Sequence, residues 1–303
     1  MNHSKFHGGS ARFLDPGILS SISNMEILAR NVVEGFVSGL HKSPYKGFSS
    51  EFLEYRPYIP GDDPMKIDWK VYARSDRTFI KEFEDETNTT CHIMLDISGS
   101  MEYSSTEMTK LQYASYLAAS LAFFMIRQRD RVGLYLFDNC IRELIPPKST
   151  QGHLHSMLRS LENIPKGAKT SMGKPFHELA DAIKKRGIVI IISDMLEDPD
   201  AITEGLRHFR FAGNDVIVFH IMDPVEQTLE FNDIVELEDM ETSERVIIMS
   251  DEAREAYQYN LNKFKARMKN DCGLLRVDYD IFETNKPLDF ALFNYLSKRS
   301  TRK

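Results

Sequence analysis

The residues best placed to do chemistry begin in the stretch Cys91 to Met101, CHIMLDISGSM. Asp96, Ser98 and Ser100 stand at alternate positions, with Gly99 giving the backbone freedom where the chain must turn sharply. The apolar run Cys91 to Leu95 reads as a buried strand. A carboxylate and two hydroxyls therefore gather at a strand's carboxyl end, where open α/β sheets bind ligands. Two further segments belong with this turn. Lys169-Thr170-Ser171 follows Pro165 and Gly167 and opens a helix-forming stretch, which places a hydroxyl in a loop. Thr170 is the candidate, and Ser171 beside it is chemically similar. Ile188 to Ile192 is the most apolar strand of the chain and ends in Ser193-Asp194. Adjacent parallel strands present their carboxyl ends on one edge, so Asp194 and Asp96 are expected across one crevice. Asp96, Ser98, Ser100, Thr170 and Asp194 then supply five oxygen ligands, directly or through water. That donor set suits a hard cation, Mg2+ or Mn2+, and not zinc or copper.

The charge balance refines this expectation. Two carboxylates only neutralise a divalent ion, and a nearby helix N-terminus adds about half a positive charge. Such a site stays electrophilic, and an open position would favour a carboxylate from a partner protein. The plainer reading of Asp96, Ser98 and Ser100 is helix capping, since all three types are common caps. A catalytic alternative is a magnesium-dependent phosphohydrolase using Asp96, similar to haloacid-dehalogenase-like phosphatases. Those enzymes need a second aspartate two residues on as general acid, and Ser98 stands there. The nucleophile-elbow pattern G-x-S-x-G is absent. His153, His155 and His177 form no H-E-x-x-H motif and read as ordinary surface or core histidines. Glu197 and Asp198 lie close to Asp194, but capping explains Asp198 equally well. No catalytic residue is expected.

The elements that must position these residues are legible from periodicity. Strand-like runs at Cys91–Leu95, Val132–Phe137, Ile188–Ser193, Val216–Met222 and Leu274–Tyr279 alternate with helical stretches. The fold class is α/β, a mostly parallel central sheet with helices on both faces. Helices are predicted over about Ile18 to Leu40, Glu107 to Arg127, after Asp198-Pro199, after Asp251 and over about Leu288 to Lys298. Ile141 to Ile145 is predicted to form an antiparallel edge hairpin with the second strand. The domain division places a helix and a loop and strand extension at 1–87, packed on a main domain at 88–303. Within the extension, Ser43 to Phe83 is rich in proline, glycine and mixed charge, with a strand over Thr78 to Phe83. Arg56, Asp62, Asp63, Asp68, Trp69 and Arg74 fall there. They read either as a clamp pinning the extension down or as a partner-docking surface, since aromatic and arginine residues dominate hot spots.

The 303 residues carry a net charge of −7, which argues against a general nucleic-acid binder. Cys91, Cys140 and Cys272 lie in separate segments without metal-binding spacing and read as reduced, buried thiols. The longest apolar stretches are too short to span a bilayer, and residues 1–10 have no signal-peptide core. A cytoplasmic protein is expected, with no membrane insertion.

The DISGS turn with Thr170 and Asp194 resembles the metal-ion-dependent adhesion site of von Willebrand factor A domains, over residues 88 to about 285. Upstream, Arg56-Pro57-Tyr58, Gly61-Asp62-Asp63, Ile67-Asp68-Trp69 and Ala73-Arg74 resemble the signature of a narrower bacterial family, domain of unknown function 58. Its members typically accompany MoxR-type AAA+ ATPases. The resemblance implies a Rossmann-like A domain, magnesium at the five residues named, and an ATPase partner. The expected function, on the five-oxygen pattern for the site and the resemblance for the partner, is a non-catalytic protein–protein interaction module. The chain itself has no G-x-x-x-x-G-K-[ST] loop.

Overall fold

A computed structural model describes residues 24–40, 54–59, 72, 78–82, 89–165, 167, 173–183, 186–229, 235–238, 245–248 and 251–288. Its centre is a six-stranded sheet. In chain order the central strands are β3 (Thr90–Asp96), β4 (Arg131–Phe137), β5 (Ile141–Lys148), β6 (Ile188–Ser193), β7 (Asp215–Met222) and β10 (Asp278–Glu283). They lie side by side as β10-β7-β6-β3-β4-β5, every pair parallel except β4 with β5. Two small antiparallel ribbons accompany the sheet: β1 (Glu54–Pro57) with β2 (Phe79–Glu82), and β8 (Val235–Glu238) with β9 (Arg245–Ile248).

Strands β3, β4, β6 and β7 are buried on both faces, and their period of two sorts side chains into two cores. Ile93, Leu95, Ile190, Ile192, Ile217 and Phe219 face one layer. Met94, Val189, Ile191, Val216 and Val218 face the other. The first layer holds α1 (Met25–Leu40), α2 (Lys110–Arg127) and α3 (Gln151–Glu162); the second holds α4 (Gly173–Ala182), α5 (Pro199–Phe211) and α7 (Asp251–Leu274). A short helix, α6 (Pro224–Thr228), follows β7. This is a mostly parallel, Rossmann-like sheet with helices on both faces.

Helix α2 lies between the sheet and α1. Leu28, Ala29, Val32 and Val33 of α1 are fully buried in the same core as Ala114, Leu117, Ala118 and Leu121. A helix covered on both sides is apolar almost all round, and thirteen of the eighteen residues of α2 are buried. Its start is set by a capping box, Thr109 accepting from the Gln112 amide at 3.1 Å while Gln112 accepts from the Thr109 amide at 3.1 Å. Met25 at the head of α1 donates its amide to Glu162 of α3 at 3.0 Å, so the extension's helix is tied to the main sheet's layer.

Three expectations need adjustment. The last strand is not Leu274–Tyr279 but Asp278–Glu283, because α7 continues to Leu274. Buried Met268 and Cys272 extend the helical stripe that far. Arg276 then turns the chain at φ 54°, and Leu274, 77% exposed, packs nothing. Cys140 is only half-buried, whereas Cys91 and Cys272 are buried; all three are free thiols. The edge hairpin extends beyond Ile145 to Lys148, and Pro146 and Pro147 sit on this edge strand, where a missing donor is tolerated. The predicted helix over Leu288 to Lys298 lies outside the described residues beyond Leu288.

Candidate functional site

Strands β3 and β6 pair in parallel with Leu95 opposite Ile192, so Asp96 and the Ser193-Asp194 pair leave the sheet together. Asp96 is wholly buried. Its Oδ1 accepts the Ser98 amide at 2.9 Å and its Oδ2 accepts the Ser193 hydroxyl at 2.6 Å. The Ser98 and Ser100 hydroxyls converge at 3.1 Å, both buried, in the turn leading to a 3-10 segment over Gly99–Glu102. Ser193 also accepts the Met195 amide at 2.9 Å. Met195 holds φ 54°, a left-handed conformation rare for a side chain of its kind. The local strain therefore falls at the residue directly after Asp194.

Asp194 continues the face of Ile190 and Ile192, toward α2, and there it meets Lys110. The Lys110 ammonium donates to Asp194 Oδ2 at 2.8 Å and to Glu226 Oε1 at 2.5 Å, and Lys110 is completely buried. Burial opposes its charge, but the Asp194 and Glu226 carboxylates outweigh that and hold its pKa above the ordinary lysine value. Glu226 is pushed up by burial and pulled back by Lys110. Glu226 Oε2 in turn accepts the Asp223 amide at 2.9 Å in the capping box of α6. Buried Asp223 takes both the amide, at 2.8 Å, and the hydroxyl of Ser105. A chain of acids thus runs from β3 through β6 to the end of β7, with one internal cation.

That cation does not serve Asp96. Burial first, and the neighbouring Asp194 carboxylate second, push the Asp96 carboxyl up to about 7. The negative charge there lacks full compensation. Two buried hydroxyls stand beside it. Asp96, Ser98 and Ser100, with Asp194 near enough to raise the Asp96 pKa, are oxygen donors of the class that a hard divalent cation takes. The fifth expected donor, Thr170, lies outside the described residues. Gly167, three residues earlier, runs so close to the Ile97 carbonyl and Ser98 Cα that a Cβ there would collide with backbone. Gly167 therefore sits directly against the DISGS turn.

Other expected positions are accounted for differently. Asp198 caps α5, accepting from the Asp200 amide at 3.0 Å, with Pro199 at the first helical position. His153 is a satisfied core histidine, its Nε2 2.7 Å from the Val132 carbonyl. His155 lies 3.2 Å from Glu26 at the surface. Arg56 is on β1, opposite Ile80 of β2. Asp62, Asp63, Asp68, Trp69 and Arg74 lie outside the described residues. Lys110, Ser193 and Glu226 were not anticipated from the sequence. The signal for Lys110 was present: it stands four residues before Ala114 and seven before Leu117, on the apolar stripe of α2 where a lysine has no solvent.

Among the described residues, no helix is long and apolar enough to cross a membrane. Comparison with known proteins gives relatives of the same kind. The chain is 26% identical over 232 residues to the uncharacterized protein Rv1480 of Mycobacterium tuberculosis, covering 75% of this chain and 72% of that one. Among solved structures it resembles the conserved hypothetical protein BatB of Bacteroides thetaiotaomicron, with TM-score 0.47, 17% identity, and 70% and 99% of the two chains covered. It also resembles the VWA domain of SpRpn10, with TM-score 0.41, 12% identity, and 68% and 94% covered. Residues 54–267 match the family described as protein of unknown function DUF58, and the chain belongs to that family.

Proposed function

We propose that this protein is a non-catalytic, metal-dependent protein–protein interaction module. The observation that carries the reading is the buried, under-compensated Asp96 carboxyl beside two convergent serine hydroxyls at a strand end. Asp96, Ser98, Ser100, Thr170 and Asp194 would hold Mg2+ or Mn2+. The bound ion would supply a Lewis-acidic position for a carboxylate of the partner. The protein's own groups do the rest. Ser193 and the Ser98 amide fix the Asp96 carboxylate in one orientation. Lys110 neutralises part of the Asp194 charge, so the site stays electrophilic and favours an incoming acid over tight metal storage. The partner we propose is a MoxR-type AAA+ ATPase or a client that it remodels, acting in protein maturation or complex assembly in the cytoplasm. This rests on the family signature around Arg56 to Arg74. Whether that segment clamps or docks is separated by Trp69→Ala, which costs stability in the first case and only binding in the second.

The test is co-purification of the full chain with a MoxR-type ATPase from the same genome, in magnesium and in chelator. Association that needs the divalent ion and is lost in Asp96→Ala supports the reading. Equal association in chelator and in Asp96→Ala contradicts it. A phosphohydrolase would instead turn over a generic phosphate ester with magnesium and lose that turnover in Asp96→Asn.

A further inference from the structure

Far from the Asp96 turn along the chain, helices α4 and α5 meet through Gly205. A Cβ at Gly205 would stand only 3.0 Å from Phe176 Cβ and closer still to its ring, so the two helices approach where only glycine fits. Phe176 stacks edge-on between Phe137 and Phe209, with centroids 5.6 Å away on each side. This packing fixes the rotation of both helices. The residue next to each buried group then falls on the flank of the contact: His177 beside Phe176, Glu204 beside Gly205, His208 beside Phe209. Glu204 and His208 are four apart on α5 and so share one face. One ligand atom from each of His177, Glu204 and His208 lies within 4.8 Å of the others. The two imidazoles are 3.9 Å apart by centroid, at 65°. Both histidines are half-buried and Glu204 is exposed.

We propose that His177, Glu204 and His208 form a transition-metal site of the zinc class that staples α4 to α5. Two imidazole nitrogens and a carboxylate oxygen are a donor set that zinc takes, with the fourth position left for water or an incoming ligand. Donors on a tetrahedral zinc stand about 3.4 Å apart, within small side-chain rotations of the observed spacing. The donor chemistry differs from the all-oxygen set at Asp96, so the two sites select different ions.

The test uses the full chain freed of metal by chelator, in excess magnesium, titrated with Co2+ and read by its visible d–d bands, then with Zn2+. One equivalent of tetrahedral Co2+, displaced by Zn2+, is expected for the wild type and for Asp96→Ala. The bands are expected to vanish in His177→Ala and His208→Ala. Glu204→Gln changes an exposed side chain that no fold contact needs, and it should weaken binding while leaving the circular dichroism unchanged. Absence of the bands in the wild type, their persistence in the double histidine variant, unaltered affinity in Glu204→Gln, or their loss in Asp96→Ala would each overturn the proposal.

Discussion

Lys110→Met isolates the internal cation that ties the acidic chain together. The substitution keeps an unbranched apolar stem in the same buried channel and removes only the ammonium. Left behind are Asp194, 2% exposed, and Glu226, 22% exposed, both hydrogen-bonded to Lys110 in the native protein. Removing one partner of a buried ion pair costs about 3–5 kcal/mol, because the other is left as an uncompensated charge. Glu226 is partly exposed and can take water, so the lower half of that range, about 3–4 kcal/mol at pH 7, is the expected loss. The assay is urea denaturation followed by circular dichroism, without divalent ions, reading a lower midpoint at constant slope. The loss carries its own pH signature. Burial raises the Glu226 pKa, and without Lys110 only the Asp223 amide opposes that rise. A carboxyl whose folded pKa is raised contributes stability below its unfolded pKa and loses it as pH climbs through the folded value. The deficit of Lys110→Met should therefore shrink below about pH 4.5 and widen above it. Glu226→Gln in the Lys110→Met background should recover part of the loss. A deficit below about 1 kcal/mol, independent of pH, would refute the claim that Lys110 is an uncompensable internal counter-ion.

The same variant should bind Mg2+ more tightly than the wild type, since a competing positive charge beside Asp194 is gone; weaker binding by calorimetry would mean that Lys110 positions Asp194 and does not compete. Burial holds His92 neutral, its pKa pushed down to about 4. The unfolded chain takes up a proton below about 6.5 that the fold refuses until about 4, so stability falls as pH drops through that window, by up to about 3 kcal/mol. His220, held neutral by burial in the same way with its pKa pushed down to about 4, shares this window. His92→Gln should therefore reduce the slope between pH 4 and 6.5 by about half, and an unchanged slope would remove His92 from the account. Gly205→Ala should cost about 1–3 kcal/mol by forcing α4 away from α5, measured by thermal melting; a neutral effect would show that Phe176 can rotate aside.

Much of the site was legible because its strands are. Uninterrupted apolar runs end at Asp96 and at Ser193-Asp194, and parallel pairing alone brings two such ends to one edge. What was not legible depends on contacts between elements distant in sequence. The position of Lys110 on the apolar stripe of α2 was visible, but its partners were not: Asp194 and Glu226 come from elements 84 and 116 residues further along the chain. Glu226 enters from α6, after β7, and no spacing in the sequence ties it to Lys110 or Asp194. His177 carries no signature within its own helix, since its companions come from α5 through the close approach at Gly205. The misplaced final strand reflects an ambiguity of short apolar runs: Leu274 and Leu275 suit a strand start as well as a helix end, and only the burial of Met268 and Cys272 decides for the helix.

The central claim is met most directly by calorimetric titration of Mg2+ into wild type and Asp96→Ala, followed in each by an acidic peptide. The account predicts one equivalent of Mg2+ bound by the wild type and none at this site in Asp96→Ala, with peptide binding only to the magnesium-loaded wild type. Undiminished magnesium uptake by Asp96→Ala, or peptide binding that ignores the metal, would contradict it.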